Sequence, residues 1–187
     1  MKRVFIIHGW GGNPKEGWFP WLKKELKMQG FEVYIPYMHD SENPKIKNWV
    51  HKLVKLVKYP DINTIFIGHS IGCQTILRYL EGLNENIKVG KIILVAPWLN
   101  LKKYESDEEI EIAKPWISKK IDFEKILVHS KNITSIFSDN DYFVSLEESE
   151  IFKNQLHSKI KIEKNKGHFS GSDGIKELPI VLSEVLL

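Results

Sequence analysis

The sequence predicts an α/β fold, a three-layer αβα sandwich built on a mostly parallel sheet of six strands. Two observations predict it. Apolar runs of strand length alternate along the chain with stretches of helical period. That alternation is the mark of βαβ units, whose parallel sheet is covered by helices on both faces. The 187 residues suit a single domain, expected to span 1–187. No apolar run approaches the ~18 residues of a membrane span.

Val4-Phe5-Ile6-Ile7 is the first strand, ending at His8-Gly9. It is too short for a signal-peptide core. Phe19, Leu22 and Leu26 then fall at helical spacing, with Pro20 in the first turn and Gly30 past the end. Residues 31–36 read as strand two. Val50, Leu53, Val54 and Val57 mark an amphipathic helix, stopped by Tyr59-Pro60-Asp61. Residues 64–67 form strand three, and a helix follows over about 71–83. Residues 91–95 are strand four and 132–137 strand five. A helix over about 146–156, a weaker strand at 159–163 and a terminal helix over 174–187 complete the pattern. Residues 97–122 break it. They carry Trp98, Trp116 and the acidic run Asp107-Glu108-Glu109, and are expected to form a lid-like loop.

The net charge of +3 comes almost entirely from Lys, with Arg3 and Arg78 the only arginines. The lysines mix with Glu along helices, as a solvated face does, which argues against a nucleic-acid partner. No membrane partner is expected either. Cys73 is the single cysteine, so an intrachain disulfide and a cysteine-rich zinc site are excluded. A cytoplasmic location fits. No cluster of His, Asp and Glu has metal-ligand spacing, so no metal and no cofactor are expected.

The strongest chemical signal is Gly68-His69-Ser70-Ile71-Gly72. It fits G-x-S-x-G between a strand and a helix, where the serine is thrust above the sheet on a strained turn. A serine hydroxyl is a weak nucleophile and needs a base. In such folds an acid follows a later strand and a histidine comes last. Ser138-Asp139-Asn140-Asp141 fills the first slot and Gly167-His168-Phe169 the second. His168 is the expected base, because no other histidine follows the last strand. His69 is expected to pack beneath the turn, His8 to shape the loop after strand one, and His51, His129 and His157 to lie at the surface or on helices. Asp141 is favoured as the acid, since it stands directly before a helix. Asp139 is the alternative, better placed to bond its own turn. The backbone N–H groups of Ile71 and Trp10, the latter in His8-Gly9-Trp10-Gly11-Gly12, are the expected oxyanion donors. That glycine-rich loop is a poor dinucleotide site, because Pro14 stands at the third glycine position. Cys73 is expected to be a buried hydrophobe. Trp18, Trp21 and Trp49 are read as packing residues. Trp98 and Trp116 are read as substrate-binding, with core packing the alternative for both.

With these stretches, and with Trp18-Phe19-Pro20-Trp21-Leu22, Pro115-Trp116 and Asp141-Tyr142-Phe143-Val144, nearly the whole chain resembles the retinoblastoma-binding-protein-9-like serine hydrolases. The resemblance implies a minimal α/β-hydrolase fold with strand order 2-1-3-4-5-6 and Ser70, Asp141 and His168 as a catalytic triad. It implies hydrolysis of small ester or amide substrates, in the manner of a carboxylesterase. Ser145 departs from the proline frequent at that position. The Leu-x-Cys-x-Glu motif for retinoblastoma protein is absent, since Ile71-Gly72-Cys73-Gln74-Thr75 lacks both the Leu and the Glu, so that partner is not expected. A hydrolase-fold binding protein and an acyltransferase using the same triad are the rival functions.

Overall fold

The computed structural model describes residues 1–187. The strands are β1 (Arg3–Ile7), β2 (Glu32–Tyr34), β3 (Thr64–His69), β4 (Lys91–Val95), β5 (Ile133–Ser138) and β6 (Lys159–Glu163). The helices are α1 (Phe19–Met28), α2 (Ile46–Val57), α3 (Ile71–Glu81), α4 (Asp107–Ser118), α5 (Phe123–Leu127), α6 (Glu147–Leu156) and α7 (Pro179–Leu186). The sheet runs β2-β1-β3-β4-β5-β6, and every pairing is parallel. The order is the expected one, and the sheet is parallel throughout rather than mostly so.

Strand side chains alternate between the two faces. Phe5, Ile7, Phe66, Ile92, Leu94 and Phe137 meet α2, α3, α5 and α6 in one core. Val4, Ile6, Ile65, Ile67, Ile93 and Ile136 meet α1 and α7 in the other. This is why the central strands read as unbroken apolar runs. The outer strand β6 instead intersperses lysines, Lys159-Ile160-Lys161-Ile162-Glu163, which discourages pairing with another chain.

Several elements differ from the sequence expectation. Segment 97–122 is not irregular throughout, because α4 occupies much of it. The Ser106 side chain accepts from the Glu109 N–H, and Asp107, Glu108 and Glu109 fill the first turn, where acids complement the helix dipole. The acidic run is therefore a helix start, disguised by Pro115 inside the helix. In α2 the buried stripe is Trp49, Leu53 and Val57, while Val54 is 52% exposed. Burying the larger Trp49 removes more apolar surface from water than burying a valine, so the helix turns to accept it. Strand β2 is shorter than expected, and the terminal helix starts only at Pro179, which takes its first turn. His129 is buried rather than superficial, its Nδ1–H donating to the Ile87 carbonyl at 2.8 Å.

Register brings the site together. Ile7 pairs with Gly68, Val95 with His69, and Ser138 with Glu163. The loops leaving β1, β3, β4, β5 and β6 therefore rise from one carboxyl edge of the sheet. The strand order reverses about β1, and ligands in open α/β sheets bind at such a reversal.

Candidate active site

Ser70 sits between β3 and α3 with φ 53° and ψ −124°, a conformation strained for any residue with a Cβ. The turn is crowded. A Cβ on Gly72 would run into the Ile7 carbonyl, and one on Gly68 would lie 2.7 Å from the Cys73 backbone. Only glycine permits these approaches. The Ser70 N–H donates to the Val95 carbonyl at 2.9 Å, tying the turn to the neighbouring strand.

The Ser70 Oγ lies 2.9 Å from His168 Nε2, and His168 Nδ1 lies 2.8 Å from Asp141 Oδ2. An ionised carboxylate only accepts, so Nδ1 carries the ring proton and Nε2 is free to accept the serine proton. All three residues are more than nine-tenths buried. The other Asp141 oxygen accepts the N–H groups of Phe143 at 2.9 Å and Val144 at 3.0 Å. Burial alone would raise the Asp141 carboxyl. The hydrogen bond and charge of His168, with those two N–H groups, instead hold it below its ordinary range. Asp139 is exposed and faces away, accepting the Asn165 N–H at 2.8 Å. Of the two acids, Asp141 is the one against His168.

The histidine loop is tied down at several points. Asp173 accepts the N–H groups of His168 and Ser170, each at 2.9 Å. Asn140 accepts the Gly167 N–H at 2.8 Å. From below, Trp18 Nε1–H donates to the Phe169 carbonyl at 3.0 Å and His69 Nε2–H donates to the His168 carbonyl at 2.7 Å. Burial, then the neighbouring His168, push His69 down to about 3, so it stays neutral. His8 is neutral too, lowered by burial, and its Nε2 accepts the Met38 N–H at 3.1 Å. The Cys73 thiol is driven well up by burial and is inert.

A cavity of about 280 Å³ opens on the serine, walled by Trp10, Trp98, Tyr142 and Phe143. Trp98 lies against Ser70, its Nε1–H donating to Oγ at 3.2 Å. Trp116 does not line this cavity. As part of α4 it faces the core, packs edge-on against Trp49 and donates to the Pro44 carbonyl at 2.9 Å. Ile71 opens α3, where its N–H has no intrahelical acceptor. Gly9, one residue before Trp10, abuts the serine: a Cβ there would lie 3.3 Å from that of Ser70.

Sequence reasoning missed the supports of the site. Asp173 binds backbone N–H groups within its own loop and Asn140 binds one across to that loop, and neither carries a motif. Gln74 bonds the Trp98 carbonyl from one turn below Ser70. A polar residue on the buried face of a core helix was the available signal.

The serine hydrolase family profile matches residues 4–186. The chain belongs to the serine hydrolase family. It is 31% identical to the Bacillus subtilis hydrolase YdeN over 96% of this chain and 92% of the relative. The solved YdeN structure superposes with a TM-score of 0.90, covering 100% of this chain and 97% of that one. The rat serine hydrolase RBBP9 is 27% identical over 97% of this chain and 94% of its own. Est1E from Butyrivibrio proteoclasticus, solved with ferulic acid bound, shares the fold at a TM-score of 0.72 and 16% identity, covering 100% of this chain and 90% of that one. This serine hydrolase thus has an α/β-hydrolase sheet, and no helix in it is long and apolar enough to cross a membrane.

Proposed function

We propose that this serine hydrolase is a carboxylic ester hydrolase for small esters, with amides the harder substrates, working through Ser70, His168 and Asp141. The observation that carries the reading is the unbroken line from Ser70 Oγ through both ring nitrogens of His168 to Asp141, at 2.9 and 2.8 Å. His168 takes the serine proton as Oγ attacks the carbonyl carbon. Asp141 keeps the imidazole in the required tautomer and stabilises the imidazolium. The N–H groups of Trp10 and Ile71 receive the developing oxyanion, each such donor being worth roughly 10²–10³ in rate. His168 returns its proton to the leaving alcohol, and water releases the acyl group by the same steps. Base, acid and oxyanion donors all come from the chain, so the mechanism needs no metal or cofactor.

The cavity of about 280 Å³ favours short acyl groups, since drug-sized ligands occupy roughly 300–1,000 Å³. Trp98 forms part of its wall. Residues 97–122 cap it, a role supported by the placement of Leu101, Lys103 and Glu109 along its lining. The same reading puts the enzyme in the cytoplasm, where the free Cys73 is at home.

A fluorophosphonate probe followed by intact-mass measurement tests the assignment. One adduct on the native protein and none on Ser70→Ala is expected. An unlabelled native protein, or an adduct that survives the substitution, overturns it.

A further inference from the structure

The Ser70 Oγ is held from two sides. Its proton points to His168 Nε2 at 2.9 Å, and it accepts the indole N–H of Trp98 at 3.2 Å. An indole N–H only donates, so Trp98 cannot serve as a base. Its contribution has one sign: it favours negative charge on Oγ. The chain goes to some length to put it there. Ala96, fully buried, takes a left-handed φ of 47°, a strained conformation for a residue with a Cβ. Gln74 Nε2–H donates to the Trp98 carbonyl at 3.1 Å, and Gln74 Oε1 in turn accepts from Arg78 at 3.0 Å. On the far side the Leu99 N–H donates to Glu148 at 2.6 Å. Trp98 itself is 1% exposed.

Resting on the reading of Ser70 as nucleophile, we propose that Trp98 is a fourth catalytic group, whose N–H stabilises Oγ as the leaving oxygen when the acyl-enzyme is hydrolysed. In acylation Oγ starts as a hydroxyl that already accepts this N–H, so the bond strengthens little on the way to the transition state, whereas deacylation starts from an ester oxygen, a weaker acceptor. Deacylation is different. Water adds to the acyl carbon and gives its proton to His168 Nε2. The carbon–Oγ bond then breaks, its electron pair stays on Oγ, the Nε2 proton passes to Oγ, and the carboxylic acid departs. Oγ gains charge as that bond breaks, and the Trp98 hydrogen bond strengthens with it. Trp98 thus sets the rate of deacylation.

The test is stopped-flow hydrolysis of p-nitrophenyl acetate by the native protein and Trp98→Phe. The variant is expected to lose about 10-fold in kcat, as one hydrogen bond allows. KM should fall by the same factor, leaving kcat/KM, which reports acylation, within about 3-fold. A burst of p-nitrophenolate near one per enzyme and an acetyl-enzyme visible by mass should accompany the loss. Replacing Trp98 with benzothienylalanine, which keeps the ring shape and exchanges N–H for sulfur, should reproduce this. That replacement decides the question if Trp98→Phe does not fold. A fall in kcat/KM matching that in kcat, or native kinetics in the isostere, overturns the role of Trp98 alone. A native protein neither labelled by fluorophosphonate nor active on the ester overturns the nucleophile assignment and this role together.

Discussion

At the amino edge of the sheet, His157 ends α6 in the left-handed helical region, with φ 49° and ψ 32°, and leads exposed into β6. At the carboxyl edge, Ser70, Ala96 and Phe169 take the same sign of φ while buried, and each lies on a loop that aims a group at the cavity. The first kind is the ordinary way to end a helix and turn back. The second kind persists because surrounding packing and hydrogen bonds over-determine it. Buried strain therefore collects where side chains must be pointed.

Relieving the strain at each edge separates the two cases most sharply. Ser70→Gly removes the proposed nucleophile and the Cβ penalty together. Turnover is expected to fall by about 10⁴-fold or more. Folding stability should hold or rise by ~1 kcal/mol, the penalty of roughly 1–3 kcal/mol offset in part by glycine's chain entropy. His157→Gly should gain stability by a few tenths of a kcal/mol, up to ~1, with turnover unchanged. Ester hydrolysis rates and denaturant melts of both variants measure this. A clear loss of stability in Ser70→Gly would show that the serine conformation carries no strain.

The next largest effect lies within the carboxyl edge, between two carboxylates two residues apart. Asp141→Asn should cost about 10⁴-fold in kcat, because an amide at that position no longer fixes the Nδ1–H tautomer of His168. Asp139→Asn should leave kcat within a few-fold, since Asp139 only pins the Asn165 N–H. Comparable losses in both would mean that the histidine loop as a whole, and not one hydrogen bond, orients the base.

The contrast between the edges also explains what the sequence discloses. Strands and most helices are legible because burial on one or both faces imposes a period. The Ser70 turn is legible because close backbone approach demands glycine at 68 and 72. The order acid then histidine is legible because chain order maps onto strand ends. α4 is hidden by Pro115, and without that helix the choice for Trp116 between pocket and core stays open in the sequence. The bond from Trp98 to Ser70 depends on Gln74, Glu148 and Ala96 acting together. No local pattern encodes a contact made by three separate stretches of chain.

His69 gives the smallest expected effect and tests the carboxyl edge through pH. It packs edge-on against the adjoining rings of Trp18 and Phe19 and is held neutral, pushed down from 6.5 to about 3 chiefly by burial. Between those values the unfolded chain binds a proton there and the folded chain does not. Folding stability from this group is therefore complete above about pH 6.5 and drains away as pH falls toward 3. One such proton is worth ~1.4 kcal/mol per pH unit at full slope. His69→Gln keeps an amide donor for the His168 carbonyl and removes the titration. Its denaturant midpoint should decline less steeply than that of the native protein between pH 6 and 4, at about one proton's difference in slope. His8, also lowered by burial, adds a slope of the same sign in both proteins. Parallel pH profiles for the two proteins would mean that His69 takes up its proton while folded, and that the floor of the site opens to water without the chain unfolding.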